Sequence, residues 1–370
     1  MTFVLLALVV LMLSYANGAN DNFKGVATLF GSGTTDYRRA LLWGTATTFL
    51  GSVAAFLLAG RLLKNFSGSG LIDDRLVASP SYVSAVALGA GLTVLLATRL
   101  GLPVSTTHGL VGALVGAGWA AGSTVNLSQL GWVFLGPLLA SPFFAMALTG
   151  LGYPLLHTAR RRLGVTETTC FCVGERVVAV APAMGDVAAL QRIKQLTAMV
   201  GSTVECRRHY EGRILGVEAG TTLDSLHYLS AGAVSFARGL NDAPKIAALL
   251  MAAPLIGPGW SLLAVASAMA LGGLVSARRV ADVMSRRITP MNHGQGFTAN
   301  LVTSAVVIAA SRWGLPVSTT HVSCSALFAI GTVRGQAHWN VIAGILAAWG
   351  TTLPLAALLG AASYRILLHG

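Results

Sequence analysis

A chain of 370 residues that is 54% hydrophobic and 10% charged, with mean hydropathy +0.69, is not an ordinary soluble domain, where about a quarter of residues carry charge. Its net charge of +12 does not point to nucleic acid, because the basic residues lie in short loops and read as positive-inside signals. Cys170, Cys172, Cys206 and Cys324 do not make a secreted disulfide framework.

Apolar stretches lie near 2–17, 41–60, 81–99, 107–121 and 129–156, and resume near 222–240, 243–258, 259–277, 298–311, 319–331 and 338–367. Runs approaching twenty residues fit membrane helices, whereas barrel strands alternate over about ten. The 43 glycines suit helices packed closely in lipid. Residues 1–17 resemble a signal peptide, with Ala16 and Ala19 as a cleavage-like pair, but no basic residue precedes them. They are read as a retained first transmembrane helix. The spacing predicts a first transmembrane repeat over 1–156, a polar insert over 157–221 and a second transmembrane repeat over 222–370.

The insert holds nine Lys/Arg against six Asp/Glu. Arg160, Arg161 and Arg162 adjoin a span and place it in the cytoplasm; Arg278, Arg279, Arg286 and Arg287 mark a second cytoplasmic loop. Val177–Val180 is read as a short strand. Cys170, Cys172, Cys206 and His209 are weighed as a zinc set, but Cys-x-Cys is not the usual knuckle spacing. They are taken as ordinary thiols, with no metal and no cofactor expected. Cys324 and the tryptophans Trp132, Trp339 and Trp349 read as packing or interfacial residues.

Two motifs occur twice. Gly-Leu-Pro-Val-Ser-Thr-Thr-His stands at Gly101–His108 and Gly314–His321, and Gly18-Ala19-Asn20-Asp21-Asn22-Phe23-Lys24 is matched by Gly239-Leu240-Asn241-Asp242-Ala243-Pro244-Lys245. The offsets, 242 less 21 giving 221 and 314 less 101 giving 213, define two homologous halves. Asp at membrane depth costs about 2.5–3.5 kcal/mol and needs a cation, a proton or a partner. Asn20, Asp21, Asn241 and Asp242 are therefore the coupling-ion candidates, with Gly allowing the helix to unwind. The competing reading makes Asp21–Lys24 and Asp242–Lys245 i,i+3 ion pairs at helix ends.

In the longer motif, Pro suits the first helical position and Ser and Thr the N-cap. Free N–H groups, the dipole and hydroxyl donors make an anion site of Ser105, Thr106, Thr107, Ser318, Thr319 and Thr320. The segments 101–121 and 314–331 read as re-entrant hairpins. His108 and His321 are read as buried structural residues, or as anion or proton contacts.

At these residues the chain resembles the inorganic phosphate transporter (PiT) family. The resemblance covers both membrane halves. It implies an all-α polytopic protein of the cell (inner or plasma) membrane with two inverted repeats, broken helices and re-entrant hairpins. It also implies symport of inorganic phosphate with a cation, Na⁺ favoured over H⁺, by a homodimer. Asn20, Asp21, Asn241 and Asp242 would serve the coupling ion, and the Ser-Thr-Thr triplets with Lys24 and Lys245 the phosphate. Many members continue the first motif as Asp-Val-Ala-Asn; here Lys24 stands where that Asn would be. The lysine either replaces a coupling cation or contacts the anion, so coupling ion and stoichiometry stay open, as does sulfate as substrate. An intramembrane Ser-His-Asp hydrolase is disfavoured by the symmetric polar sets and the lack of a Gly-x-Ser-x-Gly elbow. An anion channel has little use for the carboxylates. No ATP-binding loop is present in the sequence.

Overall fold

A computed structural model describes residues 2–66, 68–180, 191–210, 214–251 and 257–369. Part of the apolar stretch 243–258 and the insert residues Asp186, Glu211 and Arg213 lie outside the described residues. The chain divides into two compact units, Met1–Tyr153 with His227–Gly370, and Pro154–Leu226.

In the first unit, α1 (Thr2–Asp21) passes through a 3-10 turn at Asn22–Gly25 into α2 (Ala27–Gly31). Then come α3 (Tyr37–Leu58), α4 (Gly60–Asn65), α5 (Asp74–Val77), α6 (Pro80–Arg99) and α7 (Thr106–Ala120). A short α8 (Leu127–Gln129) runs through a π-helical segment, Leu130–Leu135, into α9 (Gly136–Arg162); α10 (Thr203–His209) belongs to the second unit. The chain returns as α11 (Ala219–Leu250), α12 (Pro258–Ser276), α13 (Arg278–Asp282), α14 (His293–Trp313), α15 (Thr319–Val333) and α16 (Trp339–His369). Among the described residues six helices are long and apolar enough to cross a membrane: Thr2–Gly25, Tyr37–Leu58, Pro80–Arg99, Leu127–Arg162, Pro258–Ser276 and Trp339–Leu368.

The two copies of the short motif differ in backbone. After Asp21, α1 gives way to the 3-10 turn, where Asn22 Nδ2 donates to Thr45 Oγ1 on α3 at 2.6 Å. Around Asn241 the sequence predicts a break, between apolar stretches 222–240 and 243–258. Instead α11 continues through Asn241, Asp242 and Pro244. A proline inside a helix removes one hydrogen bond without necessarily ending it. The motif glycines are helical too. A Cβ on Gly18 would stand 1.8 Å from the Met269 carbonyl oxygen of α12, and one on Gly239 would stand 2.0 Å from the Thr48 carbonyl oxygen of α3. These glycines therefore serve close helix packing rather than unwinding, and they pack the first helix of each half on the second helix of the other.

Each copy of the longer motif starts at a glycine with positive φ, +72° at Gly101 and +74° at Gly314. Only glycine takes that conformation readily, and it ends the preceding helix. Extended residues follow, and α7 and α15 start at Thr106 and Thr319. Ser105 Oγ caps α7 by accepting from His108 N at 3.2 Å, and Ser318 Oγ caps α15 by accepting from His321 N at 3.1 Å. The prolines expected at the first helical position stand earlier, in the extended leg, because serine takes the cap. Each helix has 15 residues, about 22 Å at 1.5 Å per residue, which is short of a ~30 Å hydrocarbon layer.

The second unit contains a sheet of order β2-β1-β3. Strand β1 (Thr169–Val180) pairs antiparallel with β2 (Gln191–Ser202) and with β3 (Leu215–Glu218). The predicted strand Val177–Val180 is thus the end of one starting at Thr169. Ser202 and Glu205 form a capping box at the start of α10. Cys172 and Cys206 are joined by a disulfide, so they are not the ordinary thiols expected; the sheet register and α10 bring them together across 34 residues. The Sγ atoms of Cys170, Cys172 and Cys206 lie within 4.8 Å of one another. His209 is outside that group and packs edge-on against the Tyr210 ring at 5.0 Å.

Candidate functional site

The motif residues of both halves meet in one buried cluster. Asp21 is 1% exposed and both its carboxylate oxygens are engaged. Oδ1 accepts from Lys24 Nζ and lies 3.3 Å from Thr320 Oγ1; Oδ2 accepts from Asn17 Nδ2 at 3.0 Å and from Thr106 Oγ1 at 3.2 Å. Lys24 Nζ also donates to Asn20 Oδ1 at 2.7 Å, Thr320 Oγ1 at 2.7 Å and the Val104 carbonyl at 3.0 Å.

The second half repeats the pattern with the partners exchanged. Thr319 Oγ1 donates to Asp242 Oδ2 at 3.2 Å, as Thr106 does to Asp21. Lys245 Nζ donates to Thr107 Oγ1 and to the Val317 carbonyl, both at 2.8 Å, and lies 3.7 Å from Asp242 Oδ1. Each lysine thus reaches a carbonyl of its own half and a threonine of the other. The extended legs meet as well: Thr320 Oγ1 donates to the Val104 carbonyl at 2.8 Å, and Thr107 Oγ1 to the Val317 carbonyl at 3.5 Å. Asn20 Nδ2 ties the first leg through Thr98 Oγ1 at 2.9 Å and the Leu102 carbonyl at 3.0 Å. Asn241 Nδ2 ties the second through the Val317 carbonyl at 3.1 Å.

The i,i+3 ion pairs exist, then, but in the interior rather than at an interface: Lys24 is 2% and Lys245 1% exposed. Lys24, assigned to phosphate from sequence, has four oxygen acceptors for its three protons. The structure therefore leaves its ammonium no spare donor.

Sequence reasoning missed Arg238. It is 1% exposed, its Nε is 3.8 Å from Asp242 Oδ2, and none of its three nitrogens makes a hydrogen bond among the described residues. Its charge also interacts with Asp21. A signal was present, since the offset of 221 carries Asn17 onto position 238. Counted as ionised, the buried Lys24, Lys245 and Arg238 against Asp21 and Asp242 give this cluster a formal charge of three less two, +1.

His108 and His321 stand beside one another, ring centroids 4.6 Å apart, and His321 stacks on Trp349 at 3.8 Å. Both line a cavity of about 570 Å³ whose other walls are largely apolar, including Leu138, Phe143, Trp339 and Trp349. Trp349 Nε1 donates to the Pro103 carbonyl at 3.0 Å, so this tryptophan positions the first leg. Cys324 is buried and packs on Met284 Sδ at 3.3 Å. A separate cavity of about 500 Å³ is lined by Tyr15, Ala19, Thr98, Arg99, Arg278 and Arg279. Thr98 holds Asn20, so this basic vestibule abuts the cluster.

The phosphate transporter family model matches residues 17–360. The chain belongs to the phosphate transporter family. A probable low-affinity inorganic phosphate transporter of Rhizobium meliloti (strain 1021) is 28% identical over 367 residues, covering 96% of this chain and 93% of that relative. One of Bacillus subtilis (strain 168), described in the same words, is 24% identical over 378 residues, covering 98% and 96%. A solved structure, the sodium-dependent phosphate transporter, superposes with a TM-score of 0.76 at 19% identity and covers 100% of this chain and 99% of its own, a likeness of fold. As a member of this family, with its six long apolar helices, the chain is a multi-pass protein of the cell membrane.

Proposed function

We propose that this transporter takes up inorganic phosphate by symport with a cation. The observation that carries the reading is a buried site whose five charged residues sum to a formal charge of +1, bounded by two capped helix N-termini and containing an arginine with no hydrogen-bonded nitrogen among the described residues. A buried guanidinium without acceptors is costly, and a tetrahedral oxyanion supplies them. Arg238 and the hydroxyls of Ser105 and Ser318 are the phosphate donors in this reading, and Thr106, Thr107, Thr319 and Thr320 join them by exchanging their present acceptors for the anion's oxygens. Asn20, Asp21, Asn241 and Asp242 provide the oxygen-rich surroundings of the coupling cation. The family membership and the likeness to inorganic phosphate transporters favour phosphate over sulfate.

Uptake of labelled phosphate and sulfate into proteoliposomes, with Na⁺ and H⁺ gradients imposed in turn, tests this. Saturable phosphate uptake that collapses with the gradient is the expected result. If neither anion moves under either gradient, the reading fails. Arg238→Gln is expected to raise the phosphate KM by about 10- to 100-fold, because a hydrogen bond to a charged group is worth about 1.5–3 kcal/mol. The homodimer belongs to the same proposal; native mass spectrometry in detergent reads its mass.

A further inference from the structure

We infer that Lys24 and Lys245 are tethered cations occupying two oxygen cages of the coupling-ion type, so that uptake draws no Na⁺ into either cage and is driven by protons. This rests on the symport reading and changes one part of it: Asn20, Asp21 and Asp242 surround a lysine ammonium in place of a free coupling cation.

The surroundings of Lys24 Nζ carry the inference. Its four partners are a carboxylate oxygen of Asp21, the amide oxygen of Asn20, the hydroxyl oxygen of Thr320 and the backbone carbonyl of Val104. Carboxylate, amide and backbone carbonyl oxygens are ligands that hard metal cations take. Four acceptors around three protons form a coordination shell rather than a set of matched hydrogen bonds. The Thr320 hydroxyl fits that role, since its own proton goes to the Val104 carbonyl and leaves a lone pair for the ammonium. Lys245 stands in the corresponding place in the other half, held by Thr107, the Val317 carbonyl and Asp242. A metal ion entering either cage would have to displace a buried ammonium.

A cation on a side chain cannot cross the membrane, so the charge carried with each phosphate must come from elsewhere. Counted as ionised, the cluster has a formal charge of +1. Dihydrogen phosphate neutralises that charge, and relative to hydrogen phosphate it brings one proton. The loaded site is therefore neutral without Na⁺, and the species that crosses is dihydrogen phosphate with net charge −1, so the pH difference across the membrane is what drives its uptake.

Two measurements test this. First, phosphate uptake by the wild-type protein in proteoliposomes is compared with Na⁺ fully replaced by choline at constant ionic strength, under an imposed proton gradient. Uptake within twofold of the Na⁺ value is expected; a tenfold loss overturns the inference. Second, thermal unfolding of wild type, Lys24→Asn and Lys245→Asn is followed in Na⁺ and in choline. Vacating a cage should give the variants a Na⁺-dependent rise in Tm that wild type lacks. A Na⁺-dependent rise in wild type overturns the inference, as does no response in folded variants. If the variants do not fold, the wild-type comparisons still decide. If wild type moves no phosphate under any gradient, the symport reading fails, and the unfolding experiment still tests cage occupancy.

Discussion

Asp21 accepts from Lys24, Asn17 and Thr106, with Thr320 Oγ1 3.3 Å from Oδ1, so little of its charge is left unsatisfied. Removing one partner of a buried ion pair costs about 3–5 kcal/mol, mostly because the other charge is stranded. Asp21→Asn is accordingly expected to lower unfolding stability by that order and to abolish uptake. The double variant Asp21→Asn/Lys24→Met should regain part of the stability and none of the uptake. A single variant as stable as wild type in denaturant titration would show that the pair is not a buried charge pair. Asp242→Asn strands two cations, since Arg238 lies 3.8 Å and Lys245 3.7 Å from its carboxylate, and it should also abolish uptake. The residues of this cluster were mostly legible in the sequence, because an eight-residue identity and paired Asn-Asp steps inside apolar sequence are hard to explain by packing alone. Arg238 was not, because its counterpart Asn17 differs in chemistry, although both residues directly precede the short motif. The exchange of threonines between halves was also hidden: Lys24 and Thr320 are 296 residues apart, and only the folded packing pairs them.

Among the elements, the crossing of α1 with α12 and of α11 with α3 depends on two glycines. Gly18→Ala would drive a methyl group to 1.8 Å from a backbone oxygen that no side-chain rotation can move away. Overpacking of this kind costs about 1–3 kcal/mol. Lower Tm and reduced yield of folded protein are expected for Gly18→Ala and Gly239→Ala, measured against Gly344→Ala, where the added Cβ meets nothing within 4 Å. The sequence marked these glycines but not their use, since unwinding and close approach both call for a residue without Cβ. The disulfide of the second unit was illegible for a different reason: Cys172 and Cys206 are joined through a sheet register that no spacing rule encodes. In that unit the Ser202 backbone N–H and side chain hold the Glu205 carboxyl below its ordinary range. A depressed carboxylate pKa stabilises above the unfolded value, and the contribution is lost as pH falls through the folded value. Acid titration of Glu205→Gln should therefore lack a destabilising component that wild type shows below the ordinary glutamate range.

For the molecule as a whole, the vestibule of Arg99, Arg278 and Arg279 gives an electrostatic approach to the buried cluster. These arginines are exposed, so their attraction for an anion is screened by salt. For phosphate presented from the face onto which this vestibule opens, Arg278→Gln/Arg279→Gln is expected to raise the KM severalfold at low ionic strength and little at high salt, with kcat unchanged. Equal effects at both salt concentrations would place these residues in direct contact with the substrate. The positive-inside rule predicts that the loop carrying Arg278, Arg279, Arg286 and Arg287 faces the cytoplasm. A membrane-impermeant thiol reagent should therefore label Arg286→Cys in inside-out vesicles and not in intact cells.

The motif is interrupted in one half and continuous in the other, and this divides mechanical compliance unequally. A 3-10 turn has poorer hydrogen-bond geometry than an α-helix, so Asn22–Gly25 is a flexible joint, while α11 carries its Asn-Asp pair on a rod of 32 residues. Amide exchange should be faster at 22–25 than at 241–243 and 245, and slow at both once phosphate is bound. The near-symmetric chemistry is thus mounted on a 3-10 turn in one half and on a continuous helix in the other.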